Sequence, residues 1–289
     1  GLHDSTFAYL RFRDKQKDPY TCQLLENWRM NETLSRFSAE TLYGLAYAPA
    51  TQELAGRQLR FSSRKRGRRS QANDDDMYQW LLNPHWPLVV CILEDSRGAI
   101  ENIAEAEIVA QLSLSLRMQI RSSDAVHSFS HTSTGDREFW QKGLSIVSPH
   151  HLQIRAIKRA LDAMHLWQSP PFVDTVDKMQ GQQSEAVFVS YGVSDAETAL
   201  AEADFIYSLN RLNVSITRAR SKCIVCIPRP LLTPSFELLS HEKAAKGLGH
   251  MHALVDFCRR YGEERSYKIL SPSFPAGSQI TAIRCWIQS

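Results

Sequence analysis

Five apolar runs of strand length recur along this chain, and each run is continuous rather than alternating with polar residues. A strand that is apolar on both faces must be buried on both faces, as in a parallel sheet that helices cover. Helical patterns of apolar residues lie between the runs. We therefore predict an α/β fold with three layers, α/β/α, around a mostly parallel sheet. The five predicted strands are Leu88–Leu93, Leu144–Val147, Phe172–Val176, Ala186–Tyr191 and Cys223–Ile227.

Composition and charge divide the chain into four segments. Residues 1–50 form a lead-in segment with a helix from about Asn31 to Tyr43, and residues 51–85 form a basic insertion that we expect to be mobile. Residues 86–230 form the α/β core. Residues 231–289 contain a helix near His241–Tyr261 and then a Ser/Pro/Gly-rich end, which we interpret as a tail or strap packed on the core.

Length and composition exclude several classes of protein. The chain has 289 residues, of which 43% are apolar, and this is enough for a sizeable core. No apolar run is long enough to cross a bilayer, and the N-terminus lacks the order of a signal peptide. Six cysteines without framework spacing fit a reducing compartment. We expect a cytoplasmic protein with no membrane partner and, because it opens at Gly1, a piece of a longer protein.

Metal sites are not predicted from this sequence. Cys223 and Cys226 form a C-x-x-C pair, but residues three apart in a strand point to opposite faces of a sheet. We interpret both as core cysteines. The histidine pair at residues 150–151 has no carboxylate at a spacing that would complete a metal site.

The segment SLNRLNVSITRARSK, residues 208–222, is predicted to be a helix that carries three arginines. At about 100° per residue its apolar side chains share one face, which would dock on the sheet. Arg211 and Arg218 share the roughly opposite face, and Arg220 points away from Arg218. A helix face of this kind is ordinarily exposed to solvent and has no further role. Whether these arginines have a function must therefore be judged from the neighbouring motifs.

Four ordered segments of the chain resemble motifs of superfamily 1 helicases, in particular of the superfamily 1B branch. Two of them, motifs V and VI, flank the predicted strand Ala186–Tyr191. An N-x-x-E-A helix start, at residues 102–106, is a further similarity. The four segments are LLENWRMNETLSRFSAETLY (residues 24–43, motif IIIa), IVSPHHLQ (146–153, motif IV), VDTVDKMQG (173–181, motif V) and RLNVSITRAR (211–220, motif VI).

This resemblance implies a second RecA-like lobe. In the family, ATP lies in the cleft between two such lobes, and the second lobe supplies arginines that reach the γ-phosphate. By the family pattern these catalytic residues are Arg29 and Arg218. A permanently charged, planar guanidinium suits this role, because phosphoryl transfer spreads negative charge over the equatorial oxygens.

The resemblance also implies nucleotide-binding and strand-binding residues. Trp28 stands where the family usually has a tyrosine beside the base, and a core tryptophan is the equal alternative. Where the family has Q-G-x-E, this chain has Gln180-Gly181-Gln182-Gln183, with the acid delayed to Glu185. The implied nucleotide-binding residues are Trp28, Gln180, Gly181, Gln183 and Arg220, and the implied nucleic-acid-binding residues are Ser148, Pro149, His150, Thr175 and Asp177.

The phosphate-binding loop G-x-x-x-x-G-K-[ST] does not occur in this chain. We therefore expect ATP and Mg²⁺ to be bound mainly by an upstream RecA-like lobe of the same polypeptide, and the isolated chain to hydrolyse ATP hardly at all. The expected partner is single-stranded nucleic acid, with DNA favoured over RNA. Two function classes remain open: the second motor lobe of a helicase or translocase, or a degenerate RecA-like module that only binds nucleic acid or a protein.

The basic stretch RFSSRKRGRRS, residues 60–70, is either a solvated insertion or an arm that contacts phosphates, with Arg64 and Arg66 among its contacts. If it is an arm, neutralising the basic residues within 64–69 should weaken single-strand binding and flatten its salt dependence. The physical reason is that each neutralised phosphate of a single strand releases about 0.7 of a counterion. Affinity measured across a salt series checks this prediction, and an unchanged slope would contradict it.

Overall fold

The structure is a computed structural model that describes residues 25–61, 74–96, 100–121, 133–179, 181–233, 235–269 and 272–288. Its strands are β1 (Glu26–Asn27), β2 (Ala48–Pro49), β3 (Leu88–Leu93), β4 (Leu144–Val147), β5 (Val173–Asp174), β6 (Ser184–Ser190), β7 (Ala219–Pro228), β8 (Gly262–Lys268) and β9 (Gln279–Cys285). Its helices are α1 (Glu32–Ser38), α2 (Gln52–Ala55), α3 (Asp74–Leu82), α4 (Ile103–Gln119), α5 (Ser133–Glu138), α6 (His151–Met164), α7 (Ala196–Ala201), α8 (Ala203–Ile206), α9 (Leu209–Thr217), α10 (Arg229–Leu232), α11 (Phe236–Leu239) and α12 (Glu242–Arg260).

A seven-stranded sheet organises the chain, in the order β5-β4-β6-β7-β3-β9-β8. Strands β5, β4, β6, β7 and β3 pair in parallel, whereas β9 runs antiparallel to both of its neighbours. Strands β1 and β2 form a separate parallel pair. The predicted α/β fold with a mostly parallel sheet is confirmed. None of the helices in the described ranges is both long and apolar enough to cross a membrane.

Helices cover both faces of the sheet and form two core clusters. Along β3, Leu88, Val90 and Ile92 belong to the cluster that α1, α9 and α12 cover, and the intervening residues belong to the cluster under α4 and α6. Cys223 and Cys226 are both fully buried and lie in different clusters. This is the arrangement expected of core cysteines on opposite faces of a strand.

Strand and helix bounds agree with the sequence prediction at β3 and β4 and differ at β5 and β7. Strand β5 is short, because the chain turns into a 3₁₀ helix at Val176–Met179. The predicted helix over residues 208–222 extends too far at its C-terminal end: α9 ends at Thr217, and residues 219–222, which include Arg220, lie in β7. The physical reason is sheet pairing, since Ala219 lies opposite Ser184 of β6.

The C-terminal end is a part of the sheet, so its interpretation as a tail or strap was wrong. Strand β9 pairs with β3 from Leu88↔Cys285 to Leu93↔Ile280, and β8 forms the sheet edge beside it. Two polar residues interrupt the apolar pattern of β9, and both are satisfied by partners far away in sequence. Thr281 donates to Glu94, and the Arg284 guanidinium pairs with Glu263 and stacks on Trp80 and Trp86.

The segment predicted as a basic insertion is packed at its C-terminal end. Leu81 and Leu82 of α3 are fully buried in the core cluster under α4 and α6. Packed structure therefore begins before residue 86. Residues 62–73, which include Arg64 and Arg66, lie outside the described residues.

Lys222 is an unusual feature of the core, because its side chain is fully buried in β7. Its ammonium donates hydrogen bonds to the carbonyls of Asn83 (3.1 Å) and Trp86 (2.6 Å). Burial, and then the charge of Arg284, lower the pKa of Lys222 to about 7. The amine is therefore largely neutral in the folded protein at mildly alkaline pH, whereas in the unfolded chain it stays protonated up to about pH 10.4.

Replacing Ile283 by Ala should destabilise the protein by about 2–5 kcal/mol. Ile283 is fully buried in β9, and its loss would leave a cavity between the sheet and the helices. The free energy of unfolding in urea checks this prediction. Lys268→Ala, at an exposed end of β8, is the control and should be near neutral. An equally small effect for both variants would contradict a structural role for β9.

Replacing Lys222 by Met should change how stability depends on pH. Between about pH 7 and pH 10 the unfolded wild-type chain binds the lysine proton more than the folded protein does, so wild-type stability rises with pH in this window. The variant lacks this contribution. Urea unfolding at several pH values within the window should show the wild type gaining stability relative to Lys222→Met, and parallel curves would contradict the assignment.

Candidate nucleotide and nucleic-acid sites

The predicted site residues fall into two groups at opposite ends of the parallel strands. One group lies where β6 and β7 begin, and it includes Gln183, Arg218 and Arg220. The other group lies where β4 and β5 end, around a cavity of about 450 Å³. We call these the amino edge and the carboxyl edge of the sheet.

The loop before α1 is shaped by a buried asparagine. The Asn27 side-chain oxygen accepts from the backbone N–H groups of Arg29 (2.9 Å) and Met30 (2.8 Å). Asn31 caps α1 and donates to the carbonyls of Arg57 and Ser221. These bonds fix the loop against β7 and place Arg29 at the amino edge.

Arg29 is held between α9 and the start of β6. Its Nη1 donates to the Thr217 carbonyl (2.9 Å), at the negative end of the α9 dipole, and its Nε donates to the Gln183 side chain (3.1 Å). Burial, and the nearby charges of Arg218 and Arg220, lower the pKa of Arg29 from its ordinary value. Like charges are therefore concentrated at this edge.

Arg218 caps the C-terminus of α9 with its backbone, and its N–H bonds to the last turn of the helix. Its side-chain Nε is buried and has no hydrogen-bond partner within the part of the chain that the structure describes. A buried guanidinium N–H without a partner is unfavourable in the free protein, and an anion is the group that would satisfy it.

Glu185, the delayed acid of the motif V segment, is a carboxylate that holds side chains together at this edge. Its Oε1 accepts from Arg57 (2.8 Å) and lies 3.2 Å from Nη1 of Arg220, and its Oε2 accepts from the Ser221 hydroxyl (2.7 Å). Glu185 is itself buried. Glu185 holds these arginines in place through ion pairs and hydrogen bonds. Arg29 contacts a different side chain, that of the exposed Gln183.

Trp28 is 73% exposed, which excludes the alternative of a core tryptophan. It lines a cavity of about 590 Å³ together with Arg57 and Arg220. An exposed indole beside two guanidinium groups is a suitable surface for an aromatic base with attached phosphates.

The amino edge fits the phosphate groups of a nucleotide. Arg29 and Arg218 supply two guanidinium groups, and the buried carboxylate of Glu185 is already paired with Arg57 and Arg220. When bound, ATP would supply the phosphoryl group, and these arginines would stabilise its negative charge. Within the described ranges no cluster of three or more His, Cys, Asp or Glu residues could hold a metal ion.

Four of the predicted nucleic-acid-binding residues line the cavity at the carboxyl edge: Ser148, Pro149, Thr175 and Asp177. The fifth, His150, does not line it. Its ring is buried, with Nδ1 2.7 Å from the Glu202 carboxylate. His150 therefore links the start of α6 to the α7–α8 segment.

Of the remaining predicted site residues, one lies at a turn and three lie outside the described residues. Gly181 is exposed and has a φ of +77°, a backbone conformation that glycine adopts without strain. Gln180, like Arg64 and Arg66, lies outside the described residues. Their assigned roles remain predictions.

Helix α9 connects the two edges. Its first turns carry Arg211 and Leu212 at the cavity, and its C-terminus carries Thr217 and Arg218 at the amino edge. Leu212 and Ile216 are buried against the sheet, as the helical face predicted. At about 1.5 Å per residue, Arg211 and Arg218 lie roughly 10 Å apart along the helix axis.

Sequence reasoning missed several residues that the structure brings to these edges. Arg57 joins the amino edge through Glu185, while Lys178 and Phe205 line the cavity. Lys178 lies within the motif V segment and could have been included on that basis. Arg57 and Phe205 gave no signal, because Arg57 lies in the irregular segment after α2 and Phe205 lies in a four-residue helix without a periodic pattern.

Comparison with known proteins gives two matches at low identity over most of the chain and one match over a shorter segment. DNA replication ATP-dependent helicase/nuclease DNA2 of Homo sapiens is 24% identical over 264 residues, covering 85% of this chain and 22% of that protein. The dna2 protein of Schizosaccharomyces pombe, with the same description, is 24% identical over 234 residues, covering 78% and 15%. Probable helicase senataxin of Homo sapiens is 35% identical over 79 residues, covering 27% and 3%. The chain thus spans about a fifth or less of the length of these relatives.

A family model described as AAA domain matches residues 2–228, which is well over half of the chain. The matched region contains the four motif segments and both edges of the sheet. The protein therefore belongs to the AAA domain family, and its chain is a superfamily 1 helicase domain.

Proposed function

We propose that this chain is the second motor lobe of an ATP-dependent superfamily 1B helicase or translocase that acts on single-stranded nucleic acid. The observation that carries the proposal is the pair Arg29 and Arg218, held together at the C-terminus of α9. The first lobe, with the phosphate-binding loop, lies upstream in the same polypeptide in this proposal.

The arginine pair has the chemistry that ATP hydrolysis needs from a second lobe. The Arg29 guanidinium is positioned by two hydrogen bonds, to Thr217 and Gln183, so little reorganisation is needed when a phosphate arrives. The Nε of Arg218, which has no hydrogen-bond partner among the described residues, could donate to an anion. An arginine in this role accelerates phosphoryl transfer about 10³–10⁵-fold.

The carboxyl edge supports the nucleic-acid part of the proposal. Thr175, at the end of β5, lines the cavity together with Ser148, at the end of β4, whose buried hydroxyl is bonded to the His150 backbone. Lys178 lies beside them and is exposed. Such groups bind backbone phosphates without reading base sequence. The DNA2 relatives are described as DNA replication proteins, and DNA is accordingly the favoured strand.

Arg218→Ala, made in the longer protein with its upstream lobe, should reduce strand-stimulated ATP hydrolysis by about 10³-fold or more, because transition-state charge loses its stabilising guanidinium. Strand binding should be nearly unchanged. Arg218→Lys should remain strongly defective, since a lysine cannot reproduce the planar donor geometry. Steady-state turnover with and without a single strand, beside strand affinity, checks this prediction.

Arg159→Ala is the matched control, because Arg159 is an exposed arginine on α6 that pairs with Glu101. This variant should turn over like the wild type. Full turnover in Arg218→Ala would contradict the catalytic role. A wild type that binds the strand without any turnover would favour the alternative, a module that only binds.

A further inference from the structure

Phe205 is an exposed aromatic residue in a short helix that other residues fix to the core. It lies in α8, where Ala203 and Ile206 are buried, yet its own side chain is 52% exposed. Phe205 lines the cavity at the carboxyl edge. A single exposed apolar side chain is common, but an exposed aromatic side chain that lines a cavity is a candidate ligand contact.

The ring is held in place by a stacked arginine. The Arg211 guanidinium carbon lies 4.5 Å from the Phe205 ring centroid, which is a cation–π distance. The same guanidinium donates from Nε (3.1 Å) and Nη2 (3.0 Å) to one carboxylate oxygen of Asp177. Phe205 therefore has a preferred orientation before any ligand binds, so stacking on it would require little ordering.

Charge alone would not bring a strand to this cavity. Three carboxylates line it, namely Asp174, Asp177 and Glu202, against the cations Lys178 and Arg211. Each carboxylate is engaged: Asp174 accepts from the Thr175 N–H, Asp177 pairs with Arg211, and Glu202 contacts His150. Hydrogen bonding and stacking must therefore supply much of the affinity.

We propose that Phe205 is a base-stacking residue, on which one base of a single strand lies while the neighbouring phosphate contacts Thr175 and Lys178. This inference rests on the proposed function and specifies how the carboxyl edge grips the strand. Stacking on an aromatic ring accepts every base, because each base has a π face. Binding of the strand at this cavity is therefore independent of base sequence but requires that bases be present.

The test compares two probes at one salt concentration: an oligodeoxythymidylate and an abasic oligonucleotide of the same length. Phe205→Ala should weaken binding of the oligodeoxythymidylate by about 5- to 100-fold, the range measured for loss of one stacked base. Binding of the abasic probe should not change. Phe205→Trp should keep the preference for bases, and Phe236→Ala, an 83% exposed phenylalanine on α11, should behave like the wild type.

Three outcomes would overturn the inference. Unchanged oligodeoxythymidylate affinity in Phe205→Ala would exclude stacking, and an equal loss for both probes would indicate a general structural or electrostatic effect. Failure of Phe205→Trp to keep the preference would also exclude a stacking role. If the wild-type protein binds neither probe, the proposed function itself is overturned. That result differs from failure of the Phe205 assignment, in which the wild-type protein still binds.

Discussion

The packing of α9 against the sheet fixes the geometry on which both candidate sites depend. Leu212 and Ile216 are buried in the core, so the helix cannot shift along β6 and β7 without losing apolar contacts. Because Arg211 and Arg218 lie on the same helix, the cavity and the arginine pair keep a fixed separation. In the proposed motor, a rigid helix with one end at each site would link the nucleotide to the strand.

A second constraint, the buried Glu185, decides how the amino edge is charged. It neutralises part of the charge of Arg57 and Arg220, and its hydrogen bond from Ser221 ties both to β7. Arg29 instead donates to a carbonyl and an amide oxygen, which orient it without neutralising it. The arginine side chains are therefore fixed in position, and the amino edge keeps a net positive charge. Such a surface is unfavourable when empty and favourable when a polyanion binds.

The limits of sequence prediction follow from the chemistry of particular segments. Strands β3 and β4 were predicted with their observed bounds, because their residues are apolar throughout. Strand β7 was predicted to start late, since it begins with Ala-Arg-Ser-Lys, and its polar groups are satisfied by Glu185 and by the carbonyls of Asn83 and Trp86. Strand β9 was missed for the same reason at Arg284. The motif arginines could be assigned from the resemblance, whereas Phe205 and Arg57 acquire meaning only from tertiary neighbours.

The two edges differ in how they would hold an anion, and the difference suits a motor. The amino edge concentrates guanidinium groups, as is needed to stabilise charge that develops on a phosphoryl group. At the carboxyl edge three carboxylates stand against two cations, and the cavity offers a threonine hydroxyl, one exposed lysine and an aromatic ring. A strand held mainly by sequence-tolerant stacking can be released and held again one base further along, whereas a strongly basic groove would retain it. In the proposed translocase, the weak electrostatics of the cavity are therefore a functional property of the strand grip.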